Sequence, residues 1–395
     1  MKKPTIAVVF GSRSTEHDIS VLTAIAAVIK PLQLSQKYNV LPVYITKDGR
    51  WFAGKKFADI KTYQDDVDAT LAKQSPVSLL FGKDGGLQLT ETGKRFKPQT
   101  WSIDVVFPAT HGTHGEDGEL MAICEMANVP YVGCDVESSV IAMDKVLAKQ
   151  VVLAAGLNTP KYVSFSKQSY EFDSATYITT INKTLKYPLF VKPAHLGSSI
   201  GITRVSEPKD LANAIEVALH YDTKALVEEG VNNLVEVTLP IMGNETLTPA
   251  YLEQPLTTAE DFFDFDTKYI RGGKGKGGAK SGGKSGKEGA QGYSQIPADL
   301  SKDIYQKAET VGLDAFRAIG CTGFARIDML IDSKTKTVYF NEVNPMPGSL
   351  YAHNWRKKGV SNVALVTQLV ELAIARYHKQ QELSTAFASN FLKQF

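Results

Sequence analysis

The chain has 395 residues, 43% of them hydrophobic, and its 44 Lys+Arg nearly balance 42 Asp+Glu. That length calls for two or three domains of roughly 100 to 200 residues and argues against a single small binding module, while the even charge argues against a protein that coats nucleic acid. No apolar run approaches the ~20 residues of a membrane span, and the stretch Ile6 to Phe10 behind Met1-Lys-Lys-Pro-Thr is too short for a signal peptide, so a soluble, cytoplasmic protein is expected.

In chain order, Ile6 to Phe10 reads as a strand, Gly11-Ser-Arg-Ser as a turn, and Glu16 to Ile29 as a helix stopped at Lys30-Pro31. Strands follow at Tyr38 to Ile45 and Asp104 to Pro108, with Gly-, Lys- and Asp-rich segments between them; alternating strands and helices predict a parallel α/β domain. From Met143 the pattern changes. A helix from Asp144 to Ala155, strands at Leu189 to Lys192, Ile200 to Val205 and Ala225 to Glu229, and a helix from Pro208 to His220 predict a compact α+β unit. A third region opens with the strand Val235 to Ile241, carries a hairpin over Phe324 to Asn344, and ends in a helical stripe over Val360 to Tyr377. Cys124, Cys134 and Cys321 lie among apolar or small residues with no CxxC pair, which fits reduced, buried thiols.

Residues 270 to 292 hold ten glycines and five lysines and almost nothing apolar to offset their ordering entropy, so a mobile loop is expected. Within them Gly278 to Ser285 satisfies the phosphate-loop pattern GxxxxGK[ST]. The required strand before it and helix after it are missing, and a Gly/Lys/Ser tract matches that pattern by chance.

The hairpin is the most informative stretch. Side chains alternate across a strand, so Arg326 and Asp328 share one face and Glu342 and Asn344 share one face of the return strand. The four can converge if the register pairs Asp328 with Glu342, which needs an odd number of loop residues or a bulge. Two carboxylates and an amide oxygen are hard ligands suited to Mg²⁺, and an arginine beside them can stabilise negative charge in phosphoryl or acyl transfer. A solvated hairpin with a surface ion pair is the alternative; apolar Ile327, Met329 and Val343 oppose it. Upstream, Lys192 on a strand precedes Gly197-Ser198-Ser199, where backbone N–H groups, hydroxyls and a point charge could meet phosphate. His111 and His114 lie between a strand's carboxyl end and a helix start. Intervening glycines oppose a paired metal site, and the placement suits an anionic ligand instead.

Taken together these residues resemble the D-alanine:D-alanine ligases of the ATP-grasp superfamily. The resemblance runs through Glu16-His-Asp-Ile-Ser20, His111 to Gly118, Met143-Asp-Lys145, Val191 to Gly201, Lys268-Tyr269, Arg326-x-Asp328 and Asn341 to Gly348, covering nearly the whole chain. It implies a three-domain fold, α/β and α+β: residues 1–142 a parallel α/β substrate domain, 143–232 the central ATP-grasp domain, and 233–395 the C-terminal ATP-grasp domain with the mobile loop. It further implies that Lys145, Lys192, Gly197, Ser199 and Lys268 gather about the ATP phosphates, with Glu228 and Glu236 at the adenine end and ribose. By the same resemblance Asp328, Glu342 and Asn344 would hold two Mg²⁺ ions, or Mn²⁺ in their place, and Arg326 the oxyanion. Glu16 would pair with the ammonium of the first D-alanine, and Glu16, Ser198 and Tyr269 would form a hydrogen-bonded trio. His111, Gly348 and His353 would line the substrates, and a homodimer with no nucleic-acid or membrane partner is expected.

The chain departs from the family in two places. The Gly/Lys tract replaces a short mixed loop, and Pro345 and Ser349 to Asn354 replace a Thr and a Phe-Thr-x-x-Ser run, so that His353 stands where a serine receives the acceptor's carboxylate. D-lactate, D-serine or another amino acid is the alternative acceptor. Tyr269 favours an amine.

Overall fold

The computed structural model describes residues 3–82, 85–93, 97–256, 294–384 and 391–394. Expectations for Lys268, Tyr269, the loop 270–292 and its phosphate-loop pattern fall outside them.

The N-terminal sheet has the strand order Trp51–Ala53, Asn39–Ile45, Thr5–Gly11, Val105–Pro108. Its two pairings to Thr5–Gly11 are parallel as expected, while Trp51–Ala53 adds an antiparallel edge. Ile6, Val8 and Phe10 are fully buried, as a strand covered on both faces requires. Gly11 ends that strand at φ 92°, where a Cβ would lie 2.1 Å from the carbonyl oxygen of Ile45, so only glycine lets the chain turn toward Glu16.

Two local expectations need correction. The first helix does not stop at Pro31: Thr23–Ile29 forms a π-helical segment and Lys30–Ser35 continues it as an α-helix with the proline in its first turn. A widened turn removes both the clash and the lost hydrogen bond that proline imposes inside an α-helix. The resulting run His17–Ser35 is 19 residues long and apolar enough to cross a membrane, yet 56% of it is buried in the protein core. Second, the segment after Lys55 contains an antiparallel sheet of Val77–Phe81, Leu87–Glu91 and Thr100–Ile103. Its short strands half face solvent and so carry a weaker apolar signal than the buried strands.

The central sheet, Thr203–Val205, Leu189–Pro193, Lys224–Glu229 and Tyr162–Ser166, is antiparallel throughout. The strand expected from Ile200 starts only at Thr203, because Ser198 (φ 53°), Ser199 (φ 61°) and Gly201 (φ 71°) form a left-handed turn before it. The C-terminal sheet, Leu247–Pro249, Leu234–Gly243, Gly323–Asp332 and Thr337–Asn344, is also antiparallel and is covered by the helix Lys302–Ile319. The helix Lys145–Ala154 buries Ala148 and Val152 in that C-terminal core. The helices Ala352–Lys357 and Asn362–Gln381 return to the N-terminal domain, where one cluster joins Phe10, Val28 and Phe107 to Phe324, Trp355 and Leu365. The crevice between the sheets is thus fixed from both ends of the chain. All three cysteines are free and buried.

Candidate active site

The hairpin reaches the required register through a bulge. Four residues, Ser333 to Lys336, separate Asp332 from its partner Thr337, and pairing runs regularly to Met329 opposite Phe340. That register alone would set Asp328 against Asn341. The ladder shifts there, and Asp328 pairs with Glu342 and Arg326 with Asn344. Bulges re-aim side chains in this way beside functional sites.

Arg326 grips Asp328 through two bonds, Nε to Oδ1 at 2.6 Å and Nη2 to Oδ2 at 2.5 Å, and Asn344 Nδ2 donates to Oδ2 at 3.0 Å. The guanidinium lies 4.8 Å from the ring centre of Tyr351. Tyr351 reaches it because Ser349, Leu350 and Tyr351 are three successive left-handed residues, a backbone costing ~1 kcal/mol or more per residue and characteristic of functional turns. Burial raises the Tyr351 phenol to about 12, so it faces the site as a neutral hydroxyl. A carboxylate accepting a bidentate arginine keeps further lone pairs, so Asp328, Glu342 and the amide oxygen of Asn344 fit a divalent metal in donor type.

A lysine cluster faces the hairpin across the crevice. Lys145 Nζ donates to the carbonyl of Leu196 at 2.6 Å and lies 3.4 Å from Glu342 Oε2. Lys192 Nζ donates to Asn341 Oδ1, the bulge residue, at 3.4 Å and forms a close ion pair with Glu228. Glu228 also meets Lys149 at 2.9 Å, with both side chains almost fully buried. Glu228 therefore lies between two ammonium groups rather than presenting a free carboxylate to an adenine. Burial would raise its pKa, but the two lysines outweigh burial and hold it at about 2. Glu236, opposite Leu330, shares the face of Arg326 and Asp328. Lys149 escaped the sequence reading, although it follows Lys145 by one helical turn on the same face.

The N-terminal domain closes the third side. Ser198 Oγ donates to Glu16 Oε1 in a very short bond, and a Cβ on Gly197 would sit 2.9 Å from Glu16 Oε2. Ser199 continues the same left-handed turn. Burial, and then the neighbouring Glu116 carboxylate, push the Glu16 pKa up despite the Ser198 bond. Glu116, which sequence reading missed, accepts from Gly112 N at 3.1 Å and lies 3.8 Å from His111 Nδ1. The buried carboxylates of Glu16 and Glu116 give the surroundings of His111 a negative character. The ring Nε2 of His111 and the N–H of Ser349 both meet Thr23 Oγ1 at 3.0 Å, joining the first helix to the Tyr351 turn. His114 instead faces Glu119 at 3.0 Å, so the two histidines form no common site.

Gly348 opens the Tyr351 turn with nothing within 4 Å of a Cβ position. His353 directs Nε2 at Glu253, 2.8 Å from Oε2, and Asn354 Nδ2 donates to the same oxygen at 3.1 Å. Burial would raise the Glu253 pKa, but His353 and its other donors hold it low. No sequence signal paired Glu253 with His353.

Comparison with known proteins identifies the family. The family model described as D-ala D-ala ligase N-terminus matches residues 5–134, and that described as D-ala D-ala ligase C-terminus matches residues 151–371. A D-alanine–D-alanine ligase of Chloroherpeton thalassium is 34% identical over 386 residues, covering 96% of this chain and 99% of that protein. Among solved structures, the D-alanine-D-alanine ligase from Coxiella burnetii superposes with a TM-score of 0.77 at 26% identity, covering 97% of each chain. The D-Ala:D-Ser ligase of Enterococcus faecalis does so at 0.75 and 30%, covering 94% of this chain and all of that one. With both halves matched by family models and full-length relatives above 30% identity, the chain belongs to the D-alanine–D-alanine ligase family.

Proposed function

We propose that this chain joins two D-alanine molecules in an ATP-dependent reaction that supplies D-alanyl-D-alanine for peptidoglycan. The observations that carry this reading are three neighbouring arrangements: Ser198 bound to Glu16, Lys145 bridging the Leu196 carbonyl and Glu342, and Glu342 paired in the ladder with Asp328, which Arg326 grips. They support a reading in which an ammonium site, a phosphate site and an oxyanion donor are neighbours.

A carboxylate is a poor electrophile, so the donor's carboxylate first takes the γ-phosphoryl group of ATP and releases ADP. The acceptor's amine then attacks the acyl carbon, and the tetrahedral intermediate expels inorganic phosphate. Glu16, with Glu116 behind it, binds the donor's ammonium; this suits a buried carboxylate pair that repels itself when empty. Lys145 and Lys192 draw the transferred phosphoryl group between them, and the Gly197–Ser199 turn presents backbone N–H groups to it. Arg326 is fixed by Asp328 and Tyr351 but keeps N–H groups free for the oxyanion in both steps. Asp328, Glu342 and Asn344 would hold the divalent metal, two Mg²⁺ ions in this reading, which neutralises phosphate charge. Residues 143–232 and 233–395 bracket the nucleotide, and the protein acts in the cytoplasm as a homodimer.

The acceptor's carboxylate falls to the Gly348–His353 turn. With Nε2 held by Glu253, the Nδ1 of His353 is the ring atom that could meet it. The test is ADP and phosphate release as a function of D-alanine, with the product identified by mass spectrometry in mixtures of D-alanine, D-serine and D-lactate. D-alanyl-D-alanine as the dominant product is expected. ATP hydrolysis that ignores D-alanine would overturn the proposal.

A further inference from the structure

The turn Gly197–Ser199 and the amino end of the helix Lys145–Ala154 must both meet the same phosphates. Between them stands His195, a residue outside the motif positions. Its backbone N–H donates to Asp222 Oδ2 at 2.7 Å and its Nδ1 lies 2.9 Å from Asp222 Oδ1. Its Nε2 lies 3.4 Å from Asp144 Oδ2.

Asp144 caps the helix that carries Lys145: Oδ1 accepts from Val146 N at 2.9 Å and Leu147 N at 3.1 Å, and Oδ2 accepts from Lys224 Nζ at 2.6 Å. The backbone is pinned alongside, Lys145 N to Ala194 O and Ala194 N to Lys224 O, both at 3.0 Å. A neutral imidazole has one N–H and can serve one carboxylate; only the imidazolium donates to both.

We propose that His195 is a positioning residue for ATP, an imidazolium tie between Asp222 and Asp144 that holds the serine turn and Lys145 in register. The inference rests on the phosphate-site reading above. The charged and titratable groups facing the ring are Asp222 with Lys224 from the sheet side and Asp144 from the helix cap. Hydrogen bonds to Asp144 and then Asp222 raise the His195 pKa to about 9, outweighing partial burial. A raised value means that the tie is intact at neutral pH and is lost as pH climbs through about 9.

The full-length enzyme with His195→Gln, which keeps one donor and no charge, and with His195→Arg, which keeps charge and a two-sided donor, tests this by steady-state kinetics. The Gln variant should raise the KM for ATP about tenfold and the KM for D-alanine less than about twofold, as expected from losing one charge-assisted bond at the phosphate side. The Arg variant should recover to within about threefold of the wild type. The ratio of wild-type to Gln-variant kcat/KM for ATP should be flat from pH 6.5 to 8 and fall toward one above pH 9; titration of the D-alanine amine cancels in that ratio. An ATP KM within twofold of wild type in the Gln variant, or a deficit that neither Arg nor high pH alters, would overturn the proposal. Lys192→Ala in parallel separates the two readings. If it spares ATP binding, the phosphate site itself is wrong; if it abolishes binding while His195→Gln is silent, only the tie is.

Discussion

Glu228→Gln is the perturbation with the most direct consequence. The carboxylate sits between Lys149 and Lys192, whose side chains are 1% and 12% exposed. Replacing it with an amide removes the nearest counter-charge of two buried ammonium groups, and breaking a buried pair in this manner costs about 3 to 5 kcal/mol. Proton linkage gives a second route to the magnitude. A carboxyl held at about 2 against an ordinary 4.5 contributes about 3 kcal/mol at neutral pH, at ~1.4 kcal/mol per pH unit. The folded-state pKa is depressed, so this stability is complete above the unfolded value and drains away as pH falls toward 2. At pH 7.5 the variant should unfold roughly 5 °C below the wild type in a thermal melt. The difference between the two proteins should shrink by about 1 kcal/mol between pH 6 and pH 3.5, because only the wild type gives up the Glu228 charge. A variant within about 1 kcal/mol of wild type at pH 7.5, or a difference indifferent to pH, would refute the description of Glu228 as the counter-ion of both lysines.

Four further outcomes follow from the site. Gly197→Ala should push the Glu16 carboxylate off Ser198, lowering kcat by about tenfold or more while leaving the melting temperature near wild type, since a small misplacement at the chemistry is costly. Arg326→Lys should lower kcat by about 10² or more in the coupled ADP assay, because a lysine supplies neither the two bonds to Asp328 nor the stack on Tyr351. His353→Ala should raise the acceptor's KM well above any change in the donor's; equal KM values in variant and wild type would reduce His353 to a partner of Glu253. Lys284→Ala with Ser285→Ala should leave ATP affinity within about threefold in direct binding, an effect under ~1 kcal/mol, since the sequence around their tract carries no apolar run that reads as the flanking strand and helix of a phosphate loop.

Much of this protein was legible in its sequence because the signals are local. Buried parallel strands announce themselves as apolar runs, and catalytic groups at alternate strand positions can be counted onto one face, as with Arg326 and Asp328. Polar half-exposed strands such as Thr100–Ile103 gave no such run, and the π-helical turn before Pro31 relieves a local penalty that sequence rules treat as a stop. Partnership between distant groups was decided only by the tertiary structure. The bulge at Asn341 turns Glu342 toward Asp328, Glu228 lies between Lys149 and Lys192, Asp144 and Asp222 converge on His195, and Glu253 takes His353. The physical reason is range: backbone periodicity is set by neighbours a few residues apart. The energy of a buried charge depends on groups brought within about 4 Å from anywhere in the chain, which no local pattern encodes.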